Sequence, residues 1–184
     1  VSGGPGKDGI PALTNPEVVS AAEGDAFMKI QDLVLGVVVN GEARAYPHAV
    51  LWWHEIINDV LGGKPITVSF CPLMGSGLVY DPVLDEGAAA ANFGVSGLLF
   101  DNNLILFDRA TDSLWSQMRS QAICGTLQGT TPTLLPLAQM TWQAWKSLYP
   151  ETTVVSRNTG FDRNYNRYPY GDYDNVNNND LLFP

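Results

Sequence analysis

The chain has 184 residues, of which 45% are apolar, and it suits one domain burying roughly 70% of its unfolded surface. Charged residues make up only 16%, and the net charge is −9, where a typical soluble domain is about 25% charged. That balance argues against a nucleic-acid partner, which needs clustered Lys and Arg, and no apolar run reaches the roughly 18 to 20 residues of a transmembrane segment.

Residues 1–16 read as an extended leader. Gly3, Gly4, Gly6 and Gly9 alternate with Pro5, Pro11 and Pro16, a composition with high chain entropy and little apolar area to offset it. Asn15 could cap a short helix running to about Ala22, with Pro16 at its first position. A single β-rich domain then spans 17–156. Leu33–Val39 is apolar and largely β-branched, Asn40 and Gly41 supply a two-residue hairpin turn, and 42–46 returns. Residues 47–53 read as a helical turn, and 66–70 as a strand after Gly62 and Gly63. Short strands are expected at 77–80, 89–93 and 98–100, and another at 104–107 after the turn-forming Asp101, Asn102 and Asn103. Residues 113–119 read as a short helix. The strongest helix is 141–149, stopped by Pro150, and Val154 and Val155 form a closing strand. Turns recur at the roughly 8-to-12-residue spacing of a barrel or sandwich. The expected fold is therefore mainly β, barrel- or sandwich-like, with a few short helices and α+β at the margin.

Beyond Ser156 the composition changes. Residues 157–184 carry seven Asn, four Tyr, four Asp and three Arg, and aliphatic residues are nearly absent before Val176. This is an arm of the same domain, with tyrosines in its middle and an apolar tip at Leu181, Leu182 and Phe183. Each tip residue would gain about 1.5 to 3 kcal/mol on full burial, so the tip is expected to dock.

Chemistry-bearing residues concentrate between Leu51 and Gly77. His54, Cys71 and Met74 are soft and borderline ligands that suit copper or zinc, although three ligands are few, and even with His48 the order differs from the usual blue-copper run. The bland reading has His54 as a hydrogen-bonded hinge between helix and strand, and Cys71 and Met74 as packing residues. A Cys71–His54 pair could supply a nucleophile and base, with Glu55 or Asp59 as orienter. Carboxylate catalysis needs two acids across a cleft; Glu55, Asp59, Asp108 and Asp112 are available, but Asp108 and Asp112 fit turns and ion pairs better. Ser76 lacks the frame of a nucleophile elbow, and 94–97 lacks the context of a phosphate loop. Cys71 and Cys124 could form a disulfide worth about 3 to 4 kcal/mol by loop entropy, or remain two buried thiols.

Several of these stretches, in order, resemble a family of secreted bacterial and archaeal proteins known as domain of unknown function 3179. They are 8–13, 39–47, 54–59, Cys71–Gly77, 93–97, 108–117, 165–173 and the final Phe183 and Pro184. The family pattern commonly places a second cysteine where this chain has Met74, so a paired-thiol site is broken here, and His48 replaces an often apolar residue. The resemblance implies no reaction.

Self-assembly is the functional expectation that draws on most features. Ends of this composition become ordered only when something grips them, and a neighbouring copy is the expected holder, at Val1, Gly3, Gly4 and Pro5 and at Tyr165, Tyr168, Tyr170, Tyr173, Leu181, Leu182 and Phe183. Arms can add to a sheet edge through backbone hydrogen bonds, and a head-to-tail contact that does not close makes a filament or tube. A chain starting at Val1 with low surface charge fits an extracellular subunit whose N-terminal signal has been removed. The expected protein is thus an exported structural subunit partnered by copies of itself. Its rivals are a metal-binding or redox protein using His54, Cys71 and Met74, and a hydrolase using Cys71 or nearby carboxylates.

Overall fold

Side chains alternate between the two faces of a strand, and here almost every long strand has both faces covered. The computed structural model describes residues 1–179. Along the chain lie β1 (Leu13–Thr14), β2 (Val18–Ser20), α1 (Ala21–Gly24), β3 (Leu33–Val39), β4 (Glu42–Pro47) and α2 (His48–His54). Then come β5 (Ile56–Leu61), β6 (Lys64–Cys71), β7 (Ser76–Asp81), β8 (Phe93–Phe100) and β9 (Asn103–Asp108). They are followed by β10 (Leu114–Ser116), β11 (Gln121–Cys124), β12 (Thr133–Leu135), β13 (Ala138–Thr141), α3 (Trp142–Leu148) and β14 (Thr153–Val155).

Three open sheets result, with orders β1-β5-β6-β7-β12, β11-β10-β9-β8 and β13-β3-β4-β14-β2. The first is the central layer. Ile57, Phe70 and Val79 point from it toward Leu35, Tyr46 and Val155 of the third sheet. Their neighbours Ile56, Cys71 and Tyr80 point the other way, toward Phe93, Val95, Leu106 and Trp115 of the second. The third sheet repeats the device: Val34, Ala45 and Val154 turn outward and are covered by Trp142 and Trp145 of α3. Burial on both faces is why 33–39 reads as an unbroken apolar run. Gly36 lets α3 come close, since a Cβ there would sit 2.2 Å from the Trp145 ring.

The mainly-β expectation holds, as sheets rather than a closed barrel. The 33–47 hairpin, the short helix after it and the helix capped by Thr141, whose Oγ1 accepts from the Ala144 amide, are as expected. Other local expectations need correction. Instead of a helix opening at Asn15, β2 pairs with β14, and Ser20 caps α1 through a reciprocal box with Glu23. Residues 89–92 are not strand. The helix expected at 113–119 is β10 followed by a turn, because Leu114, Trp115 and Ser116 pair with both β9 and β11.

The leader is held by its own chain. The amides of Leu99, Gly3 and Asp8 donate to the carbonyls of Val1, Gly97 and Val95 at 2.9, 2.8 and 2.9 Å. Arg109 clasps the Asp8 carboxylate with two hydrogen bonds of 2.7 Å, and Lys7 pairs with Asp112 at 2.6 Å. Gly97 makes room for the crossing: its φ is +74°, and a Cβ would lie 2.1 Å from the Pro5 carbonyl oxygen. No helix among the described residues is long and apolar enough to cross a membrane.

Candidate functional site

The turn from α2 into β5 places one acidic residue in an unusual position. The Glu55 amide still donates to the Leu51 carbonyl at 2.8 Å, ending the helix, while its own carbonyl accepts from the Phe70 amide at 2.7 Å, starting the strand ladder. Serving both forces φ to +57° and ψ to −35°. A residue with a Cβ held there stores about 1 to 3 kcal/mol of strain and persists only where its surroundings fix it.

The side chain is as constrained as the backbone. Glu55 is 7% exposed, and Tyr170 of the arm donates its hydroxyl to Oε1 at 2.6 Å. Burial raises the carboxyl from 4.5 to about 7, against the opposing effect of that hydrogen bond. Tyr168, whose ring lies 5.5 Å from that of Tyr170, donates to the Pro72 carbonyl at 3.1 Å. The arm therefore roofs the end of β6 as well as Glu55. Beneath it, burial, reinforced by the Glu55 charge, pushes the Cys71 thiol up to about 11. Cys71 is a protonated packing residue at neutral pH, which removes the basis for a thiolate nucleophile.

His54 lies at the other side of the turn and is fully buried. Its Nδ1 is 2.7 Å from the Pro11 carbonyl and its Nε2 is 2.8 Å from the Tyr165 hydroxyl. A carbonyl only accepts, so Nδ1 carries the proton and Nε2 accepts from Tyr165. Tyr165 in turn contacts the Thr159 hydroxyl. This chain joins leader, helix and arm, and burial holds the imidazole neutral with its pKa lowered to about 4. Neither ring nitrogen is free for a metal. Met74 is 53% exposed, and no group of three His, Cys, Asp or Glu suited to a metal exists among the described residues. The His54, Cys71 and Met74 set does not fit copper or zinc.

The remaining candidates disperse. Asp59 accepts from Arg44 Nη1 at 2.7 Å and from the Tyr46 hydroxyl at 2.8 Å, a buried pairing between sheets. Asp108 accepts from the Trp115 indole at 3.0 Å. Cys71 is buried and Cys124 exposed, both as free thiols, so the disulfide considered from sequence is not formed. Val1, Gly3 and Asp8 of the leader lie on β8, its later residues on α2 and β5, and Tyr165, Tyr168 and Tyr170 lie on α2 and the end of β6. The order of these parts thus has a cause within the chain, and Tyr173 is half-buried. Leu181, Leu182 and Phe183 lie outside the described residues.

A groove of about 310 Å³ is lined by Ile10, Pro11, Trp52, Trp53, Arg163, Pro169 and Tyr170, and Glu55 itself is not among its walls. Tyr170 belongs to both the groove wall and the Glu55 hydrogen bond. A carboxyl of pKa near 7, linked through a phenol to an aromatic groove, can accept and return a proton at neutral pH. The sequence pointed to Glu55 only as one of several acids. Its pairing with Tyr170 had no local signal beyond the tyrosine-rich arm.

A family model described as protein of unknown function DUF3179 matches residues 7–184, and the chain belongs to that family. No curated protein and no solved structure matches it.

Proposed function

We propose that this chain is a hydrolytic enzyme whose proton-transferring group is Glu55. The observation that carries the reading is the Glu55 carboxyl: buried, strained in its backbone, raised to about 7 and bonded by Tyr170. Carboxyls tuned upward by burial are the groups that serve as acid and base near neutrality. Substrate lies in the aromatic groove with a flat face on Trp53. The ionised carboxylate takes the phenolic proton of Tyr170 as that hydroxyl takes the proton of an attacking water, and the same relay run in reverse returns a proton to the leaving group. Tyr170 stays a neutral donor, because burial and the Glu55 charge push its phenol well above the ordinary range.

The test is a panel of chromogenic esters and glycosides with the wild-type chain and Glu55→Gln. Turnover that rises through an inflection near pH 7 and falls by about 100-fold or more in the variant is expected. Activity unchanged in Glu55→Gln, or none across the panel, would overturn the reading.

Self-association outside the cell is the second reading, favoured by the charge-poor composition and by the open sheet edges at β12 and β13, where Leu134 is half exposed. A native mass measurement showing only single chains at working concentration would remove it.

A further inference from the structure

A second cavity lies where the third sheet, α2 and the arm meet. Its volume is about 360 Å³, and its walls include His48, Trp52 and Arg157 but neither Glu55 nor Tyr170. Two buried side-chain atoms on these walls, His48 Nε2 and Arg157 Nε, have no hydrogen-bond partner among the described residues. An unmatched buried donor costs about 1 to 3 kcal/mol; Arg157 Nε is one, His48 Nε2 is a second in the tautomer that carries its proton there, and together they suit an acceptor.

The surroundings say which acceptor. Arg157 Nη1 donates to Asn166 Oδ1 at 2.8 Å, and its guanidinium lies 5.4 Å from the Phe27 ring, so the cation is oriented with its Nε still unmatched. Lys29 and Asp32 share the cavity, but the Asp32 carboxylate accepts from the Lys29 amide at 2.9 Å and forms no ion pair with Arg157 among the described residues. Two cations against one carboxylate leave the cavity positive. The His48 ring is 94% buried by its 6% exposure and stacks against Phe70 at 4.4 Å. Burial keeps it neutral, with a pKa of about 4, so Nε2 can offer a single N–H. Met28, Leu33, Pro47 and Trp52 complete the walls with apolar surface.

We propose that this cavity binds a small organic acid, its carboxylate on Arg157 Nε and His48 Nε2 and its apolar body against Trp52 and Met28. Guanidinium pairs with carboxylate and with phosphate alike, so the apolar walls decide, favouring an acid with a hydrocarbon body over an inorganic ion. The site is independent of Glu55 and stands whether or not that residue is catalytic.

Titration calorimetry of the full chain with acetate, hexanoate and phenylacetate tests it, with methyl phenylacetate and inorganic phosphate as controls. Saturable binding of hexanoate or phenylacetate is expected, about tenfold or more tighter than either control and than acetate. Arg157→Gln, at a half-buried position, should weaken the acid about tenfold while leaving the protein folded with a cooperative unfolding transition; His48→Phe should do the same if it folds. Equal binding of acid and ester would show an apolar cavity only. Preference for phosphate would show an unspecific anion site, and no binding of any acid a cavity filled by water. Each of these, or wild-type affinity in Arg157→Gln, overturns the proposal.

Discussion

Tyr170 donates its hydroxyl to Glu55, 115 positions earlier in the chain, across 2.6 Å. That hydrogen bond opposes the burial that raises the carboxyl. Removing it with Tyr170→Phe should move the Glu55 midpoint upward from about 7, because the ionised form loses a donor while staying largely buried. Carbon-detected NMR titration of the glutamate side chains reads this directly. A midpoint that falls to the ordinary carboxylate range would mean the ring, rather than its hydroxyl, sets the environment.

Three buried groups govern stability near neutral pH. His48 and His54 hold pKa values of about 4 in the fold against 6.5 when free. The stability they confer is complete above 6.5 and is lost as pH falls toward 4. Glu55 works in the opposite sense, with about 7 in the fold against 4.5: its contribution is complete below 4.5 and is lost as pH rises through 7. Between these limits two histidines outweigh one carboxyl by about one proton, so stability should climb by about 1.4 kcal/mol per pH unit. It should then decline slightly from near 6.5 to 7, where only the carboxyl titrates. Denaturant unfolding near pH 5, 6.5 and 8 checks the profile, and Glu55→Gln should abolish the alkaline decline.

Replacing Glu55 by glycine separates strain from charge. Glycine adopts positive φ without the clash of a Cβ, and the buried carboxyl disappears as well. Glu55→Gly should therefore exceed Glu55→Gln in stability by about 1 kcal/mol or more at the same pH. Equal unfolding free energies would show that the turn is unstrained.

His54→Ala leaves the Pro11 carbonyl without its partner and the Tyr165 hydroxyl with Thr159 alone, and it opens a hole in a buried site. A loss of about 3 kcal/mol or more is expected. Limited proteolysis should cut first in 157–170, since the arm is what that imidazole retains. An unfolding midpoint within error of wild type would refute the role.

Gly97→Ala addresses the other end. A Cβ there meets the Pro5 carbonyl at 2.1 Å and φ is +74°, so the leader should come away from β8 and its amides exchange faster. The body, whose sheets do not depend on residues 1–9, should keep its cooperative unfolding.

What the sequence disclosed depended on how local the cause was. The β3–β4 hairpin follows from Asn40 and Gly41, both at positive φ, and α3 from the Thr141 cap, because a turn and a cap are decided within four residues. The misread segment at 113–119 was decided elsewhere: Trp115 is drawn into the second core, its indole donating to Asp108, and pairing on both sides overrides helical spacing. The site lay further still from view. His54, Glu55 and the tyrosines were each visible as chemical types, yet Pro11, Tyr165 and Tyr170 reach them across 43, 111 and 115 positions. The assembly expectation began from ends that need a holder, and the holders here are β8 and α2.

Because the hydroxyl that meets Glu55 comes from residue 170, any proton-transfer chemistry at that carboxyl is withheld until synthesis has passed that point. A nascent or clipped polypeptide ending before Tyr170 would lack the donor that favours the ionised form of Glu55. The last stretch of chain thus completes the surroundings of a residue that was laid down long before it.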